Sequence, residues 1–280
     1  MIDPLPITRA FATLAGWTTC FNHAGLPVLA SSAAALEEWR LHEDGVDAHL
    51  LADALSSDPL MTLKVLAHVG HLRRGRGGSD TETLTEALVM LGITPFFLAF
   101  GAQQSVESLL ANCPAALAGF EGVLQRSRRA ARFSIGFAVH RMDQDAPVLY
   151  QAALLHDFAE LLLWLHAPTL ALQMQQRQHD EPTLRSAAVQ RQVLNIELAD
   201  LEQALMTSWR LPTLLVQISD GHSRAETPQV RNVQLAIRVA RHSAVDWDNA
   251  ALPDEVRELG ELLNLSHSAA LRLLREIDAD

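Results

Sequence analysis

The sequence predicts an all-α protein, and three observations support that prediction. The apolar fraction is 49% while aromatic residues make up only 5%, and Leu and Ala dominate the apolar side chains, which favours helices over β-sandwiches. Helix start and stop signals occur along most of the chain. No alternating run of β-branched residues has the length of a strand. We therefore expect one large helical domain, or one domain with an appended piece.

Several predicted helices begin at good N-cap residues. Asp47 is expected to cap a helix over residues 48–55, and Asp145 to cap a long apolar helix that carries the later His-Asp pair. Pro is tolerated in the first helical turn, so three further pairs are typical helix starts: Asp58-Pro59, Thr94-Pro95 and Thr227-Pro228. Gly92 is predicted to end a helix, and Leu211-Pro212 to separate two helices.

The charge balance argues against some classes of function. Lys and Arg number 22 against 33 Asp and Glu in 280 residues, a net charge of -11. A protein that wraps DNA or sits on anionic lipid needs a positive field instead. A local basic loop that contains Arg73, Arg74 and Arg76 could contact RNA or an acidic partner, although such loops are more often solvated. Nucleic-acid binding is thus the least favoured hypothesis.

The compartment prediction is cytoplasmic, with no membrane span. The start MIDPLPITRAF has no basic segment followed by an apolar run. The apolar stretch from Ala152 to Leu172 is interrupted by His156, Asp157 and other polar residues, which favours a buried helix. The two cysteines, Cys20 and Cys113, are interpreted as packed small residues. The other histidines, His166 among them, show no ligand spacing and are interpreted as surface or satisfied core groups.

The pair His156-Asp157 is the motif with the clearest chemical meaning. An imidazole and a carboxylate can together bind a divalent ion that activates water and holds phosphoryl oxygens. On one helix, His156 and Glu160 would share a face. A metal site needs at least three protein ligands. The alternative is a buried pair that is hydrogen-bonded within the core and holds no metal.

The chain resembles the HDOD family, the HD-related output domains, over residues 25–222. The segments that carry the resemblance, in order, are Gly25-Leu26-Pro27-Val28-Leu29, Ser57-Asp58-Pro59-Leu60, the run from Leu66 to Gly92, Leu154-Leu155-His156-Asp157 and Trp209-Arg210-Leu211-Pro212. The resemblance implies an all-α, HD-domain-like helical bundle related to HD phosphohydrolases and found in bacterial signalling proteins. It also implies an incomplete set of metal ligands and action through protein partners.

The same resemblance can be examined residue by residue. A His of active HD enzymes aligns with Arg126, which stays protonated and repels a cation, and a further His aligns with Leu198. The positions after the His-Asp pair that are usually Gly and then Lys or Arg are Ala159 and Glu160. His222 matches a late family His. If a metal were bound, its ligands would be His156, Asp157, Glu160 and His222.

The arginines of this region allow three interpretations. Arg126 could pair with Asp157 and replace the charge of a metal, so that Arg126→Ala would lower thermal stability. Alternatively, Arg126, Arg129 and their neighbours Arg128 and Arg132 could bind a phosphate-bearing ligand. The favoured alternative at this point is a solvated basic face.

We expect a non-catalytic signalling output module that binds a protein partner or a small signalling ligand and needs no cofactor. The expected division is an N-terminal helical extension over residues 1–24, the HDOD-like domain over 25–222, and a C-terminal helical cap over 223–280 packed on the main domain. The competing hypothesis is a divalent-metal phosphohydrolase that acts on a nucleotide or a cyclic dinucleotide.

Overall fold

The computed structural model describes residues 6–73, 81–181, 183–220 and 227–279. The described residues form helices and no β-strand, apart from one isolated parallel bridge between Val28 and Ser105. The all-α prediction is therefore confirmed. In chain order the helices are α1 (Leu14–His23), α2 (Ala30–Arg40), a short 3-10 helix (Glu43–Gly45), α3 (Ala48–Leu55), α4 (Pro59–Leu72), α5 (Leu84–Leu91), α6 (Ile93–Ala99), α7 (Val106–Leu109), α8 (Pro114–His140), α9 (Ala146–Leu155), α10 (Phe158–His166), α11 (Pro168–Asp180), α12 (Ser186–Leu194), α13 (Leu198–Ser208), α14 (Thr213–Ser219), α15 (Pro228–His242), α16 (Leu252–Leu263) and α17 (His267–Ala279).

The chain divides into two compact units, each made of two separate stretches. The first unit comprises Met1–Gly122 and Phe158–Pro212, and the second comprises Val123–Asp157 and Thr213–Asp280. Helix α8 begins in the first unit and continues into the second. The division into residues 1–24, 25–222 and 223–280 stays a prediction.

Most predicted helix caps are confirmed. The side-chain oxygens of Asp47, Asp58 and Thr227 each accept a hydrogen bond from a backbone N–H two or three residues further on, at the starts of α3, α4 and α15. Gly92 ends α5 with a positive φ of 80°, a conformation that favours glycine. These local contacts explain why the helices begin and end where the sequence predicts.

Three local predictions were wrong. Gly92 also precedes α6, which begins at Ile93, so Thr94 lies inside that helix and is not its N-cap. Asp145 occupies the predicted N-cap position of α9, but its side chain does not make the expected capping hydrogen bond. The long apolar helix is two helices, because α9 ends at Leu155 and α10 begins at Phe158. His156 and Asp157 form the turn between them.

The core of the first unit is built around buried aromatic residues. Trp17 of α1 is fully buried, and its indole N–H donates to the carbonyl oxygen of Leu194 at 3.0 Å.

A close backbone contact joins the end of α13 to α4. After α13, Arg210 adopts a left-handed conformation with a φ of 57°. The carbonyl oxygen of Arg210 lies so close to α4 that a Cβ at Gly70 would be 2.4 Å from it. Gly70 is thus required by a close approach of two backbone segments.

The second unit contains buried polar contacts between α8 and the C-terminal helices. The Nδ2 of Asn232 donates to the carbonyl oxygen of Ser134 at 3.2 Å, and the Ser134 hydroxyl donates to Asn232 Oδ1 at 2.9 Å. Arg141 donates to the carbonyl oxygen of Leu262 at 3.0 Å. These bonds attach α15 and α16 to α8.

Among the described residues, one stretch, Ala146–His166, is long and apolar enough to cross a membrane by length and composition alone. Most of it is buried inside the protein, as a core segment would be. This burial agrees with the prediction of a buried segment rather than a membrane span.

Candidate functional site

The His-Asp pair lies where the chain turns from α9 into α10. His156 retains helical backbone angles, with φ of -53° and ψ of -39°, directly after the last residue of α9. The helix before the turn is almost entirely apolar and buried, including Leu154 and Leu155. A polar pair at the end of such a helix needs partners in its surroundings.

Asp157 forms an ion pair with Arg126 of α8. The Nε of Arg126 donates to Asp157 Oδ2 at 2.8 Å, and the Asp157 and Arg126 side chains are only 11% and 21% exposed. A second guanidinium follows on α15, where Arg241 approaches Asp157 Oδ1 at 3.7 Å. The structure therefore brings together the Arg126–Asp157 pair that the sequence suggested and adds Arg241, which the sequence did not.

The electrostatics of this turn fix the charge state of both residues. Burial raises the pKa of Asp157, but the positive charge of Arg126, that of His156 once its ring is protonated at low pH, and that of Arg241 outweigh burial and hold that pKa well below its usual range. Burial lowers the pKa of His156; Asp157 opposes this effect, and Arg241 and Arg126 add to it. At neutral pH the site thus holds a carboxylate, a neutral imidazole and two guanidinium groups.

Arg129, one helical turn further along α8, takes part in a second polar cluster. Its Nε and Nη2 form a bidentate pair with Asp278 of α17 at 2.8 and 2.9 Å. Its Nη1 donates to the carbonyl oxygen of Ala240 at 3.1 Å, and its Nη2 to the Ser243 hydroxyl at 2.9 Å. The solvated basic face favoured from the sequence is therefore wrong for Arg126 and Arg129, which are largely buried and paired within the second unit.

The remaining candidate residues are distributed over other parts of the chain. Glu160 lies in the first turn of α10. Arg73 follows α4, and its Nη1 donates to the Thr81 hydroxyl at 2.7 Å. Arg74, Arg76 and His222 lie outside the described residues.

The described residues do not fit a divalent metal at the His-Asp turn. No three His, Cys, Asp or Glu side chains among them are grouped so as to hold an ion. The position that would face the ion is taken by Arg126, whose guanidinium cannot lose its proton and cannot ligate a cation. Leu198, the other position aligned with a ligand, is a buried apolar residue at the start of α13.

Sequence reasoning missed a cavity in the first unit. This cavity of about 550 Å³ is lined by residues from four separate stretches of the chain, among them both cysteines and His166.

The sequence analysis also did not identify the role of Lys64, the only lysine in the sequence. Lys64 donates to the carbonyl oxygen of Leu26 at 2.7 Å and to the side chain of Gln103. The sequence signal available for this role was a single lysine within a predicted helix of mainly apolar residues.

The fold and the His-Asp turn define the class of protein as all-α and HD-related. The HDOD domain family matches residues 26–225 of the 280-residue chain. The protein therefore belongs to the HDOD family, as the sequence resemblance predicted. No curated protein matches the chain.

Two solved structures show the same fold. The MmoQ response regulator from Methylococcus capsulatus str. Bath is similar with a TM-score of 0.68 and 20% identity, over 89% of this chain and 98% of that one. A virulence factor from Campylobacter jejuni subsp. jejuni is similar with a TM-score of 0.63 and 16% identity, over 93% and 94% of the two chains. At these identities the likeness extends to the fold.

Proposed function

We propose that this HDOD protein is a non-catalytic output module of bacterial signal transduction, which binds a protein partner or a small signalling ligand. In this proposal the His-Asp turn is a closed remnant of a metal site that now stabilises the fold. The contact between Arg126 Nε and Asp157 Oδ2 at 2.8 Å is the observation that carries the proposal.

The charges around Asp157 support a closed site. A divalent cation placed against this carboxylate would face the guanidinium groups of Arg126 and Arg241, both within 4 Å of it. Repulsion between like charges is strong where water is largely excluded. Binding a cation would require both arginines to leave, and Asp157 would then lose the groups that offset its burial.

The competing function is a divalent-metal phosphohydrolase that acts on a nucleotide or a cyclic dinucleotide. The feature that favours it is the adjacent pair His156-Asp157, because an imidazole and a carboxylate can together bind a divalent ion. Glu160 and His222 would be its further ligands.

Metal binding separates the two functions. Protein purified without chelator is analysed for metal and then titrated with Mn²⁺, Fe²⁺ and Mg²⁺ while its melting temperature is followed. We expect no stoichiometric ion and no thermal shift. A stoichiometric ion that disappears in both His156→Ala and Asp157→Ala would refute the proposal, and hydrolysis of phosphomonoesters and cyclic dinucleotides would then be measured.

A further inference from the structure

The cavity of the first unit lies where the end of α10, helix α1, the region of α7 and an N-terminal segment meet. Its volume is about 550 Å³, within the range that small-molecule sites occupy in proteins. The residues that line it are Pro6, Ile7, Thr19, Cys20, His23, Ala24, Gly25, Gln104, Leu109, Leu110, Cys113, Leu165, His166 and Pro168.

The walls of the cavity are held in place by hydrogen bonds. The N–H of Ile7 donates to the carbonyl oxygen of His166 at 2.7 Å, which fixes the N-terminal segment against the end of α10. The N–H of Val28 donates to the carbonyl oxygen of Gln104 at 3.0 Å. Lys64 joins Leu26 and Gln103, the neighbours of the lining residues Gly25 and Gln104. The cavity is thus preformed, and a ligand would not have to order its walls.

The lining determines the charge of the occupant. None of the lining residues is Asp, Glu, Lys or Arg, and most of the lining surface is apolar. An ionised ligand would lose its hydration here without gaining a counter-charge. The occupant that fits is therefore uncharged and mainly apolar.

His166 adds no charge to the lining. Its Nε2 is buried, out of reach of a molecule in the cavity, and has no hydrogen-bond partner among the described residues. Burial lowers the pKa of His166, and a hydrogen bond with the Gly25 backbone partly opposes this effect. The ring is therefore neutral at neutral pH and offers no counter-charge to an ionised ligand.

We propose that this cavity is a binding site for a small, uncharged, mainly apolar molecule. All the lining residues belong to the first unit and none to the His-Asp turn, so this site does not depend on the proposed function. Cys20 and Cys113 in its walls provide a means of testing it.

The test uses a pair of fluorescent dyes that differ in charge. N-phenylnaphthylamine is uncharged and carries one N–H donor, while anilinonaphthalene sulfonate has the same ring skeleton with a negative charge. We expect saturable binding of one molecule of the uncharged dye, at least about tenfold tighter than the sulfonate. Equal affinities, or fluorescence that does not saturate, would overturn the proposal.

One variant and its control locate the dye. Cys20→Phe fills the cavity and is expected to weaken binding by at least about tenfold. Cys20→Ser, the matched control, is expected to bind as the wild type does. Wild-type affinity in Cys20→Phe would place the dye elsewhere and overturn the proposal.

Thiol protection tests the site in the unaltered protein. N-ethylmaleimide modifies Cys20 and Cys113 at rates that mass spectrometry of the two peptides can follow. We expect the uncharged dye to slow both reactions by at least about tenfold at a saturating concentration, because by mass action the cavity is then empty only a small fraction of the time. Unchanged rates at both thiols in the presence of bound dye would refute the site even if the variants failed to fold.

Discussion

Each unit contains a buried histidine, His156 in the second and His166 in the first, and the two side chains have different surroundings. In the second unit, His156 lies beside Asp157 and the two arginines that pair with it, so its surroundings are charged. In the first unit, His166 lines a cavity without charged side chains and has an unpartnered Nε2. Burial lowers the pKa of both rings. The difference teaches that burial alone does not mark a binding site, because only the uncharged surroundings of His166 include a cavity with room for a ligand.

The largest expected effect concerns the charged turn. Asp157→Asn leaves Arg126 and Arg241 without their carboxylate in a site from which water is largely excluded. We expect the free energy of unfolding to fall by ~3 kcal/mol, as for other broken buried ion pairs. Urea unfolding measures the change. The control Glu37→Gln removes an exposed pair with Arg40 and should change stability by less than ~0.5 kcal/mol.

Arg126→Ala tests the same pair from the other side. Asp157 would keep Arg241 as a partner, so we expect a smaller loss of about 2 kcal/mol. An unchanged unfolding free energy in this variant would show that the guanidinium does not stabilise the turn.

The close backbone approach in the first unit gives the next effect. In Gly70→Ala the new Cβ would lie 2.4 Å from the backbone carbonyl oxygen of Arg210, and we expect a loss of ~2 kcal/mol. Gly136 of the second unit is the matched control within α8. There the Cβ would meet the end of the flexible Ile277 side chain, which can rotate away. Because Ala is more favourable than Gly inside a helix by ~1 kcal/mol, Gly136→Ala should leave the free energy of unfolding unchanged or raise it. Comparable losses in both variants would remove this contrast.

The bidentate contact between Arg129 and Asp278 should be measurable as a coupling energy. A double-mutant cycle with Arg129→Ala and Asp278→Ala is expected to give about 1.5 kcal/mol, because both side chains are mostly buried. The same cycle on the exposed pair of Arg257 and Asp254 should give a value near zero. If the two cycles agree, the cluster around Arg129 is no stronger than a surface pair.

The smallest effect is a pH dependence shared by the two histidines. Each has a pKa in the folded state below its usual value of about 6.5, so the unfolded chain takes up the proton first. The contribution of the two histidines to stability should therefore fall as the pH drops below about 6.5 and stop falling below their folded-state pKa values. Urea unfolding over this range should show a weaker fall in His156→Gln and in His166→Gln than in the wild type. Parallel curves for wild type and variants would contradict the lowered pKa values.

The sequence was sufficient for the helical class and for contacts that are local in the chain. Asp47, Asp58 and Thr227 could be identified as caps because an N-cap bond spans two or three residues. The Arg126–Asp157 pair could be suggested because the family resemblance aligned Arg126 with a metal ligand.

Other features could not be predicted, for physical reasons. Residues on both sides of His156-Asp157 are buried apolar side chains, so no change in periodicity marks the turn between α9 and α10. Arg129 and Asp278 are 149 residues apart, and a pair at that separation leaves no local signal. The cavity likewise requires Ile7, Cys113 and His166 to meet, which only the tertiary packing of helices determines.

Asp58 links two helix starts that are far apart in the sequence. Its Oδ1 accepts from the N–H groups of Leu60 and Met61 at 2.9 and 3.0 Å, while its Oδ2 accepts from the N–H of Leu29 at 2.8 Å. Since the carboxylate is fully buried, these three amides can meet solvent only when both helix starts open together. The hydrogen-exchange rates of these three amides should therefore be equal. Equal rates would place residues 29 and 60 in one cooperative opening unit.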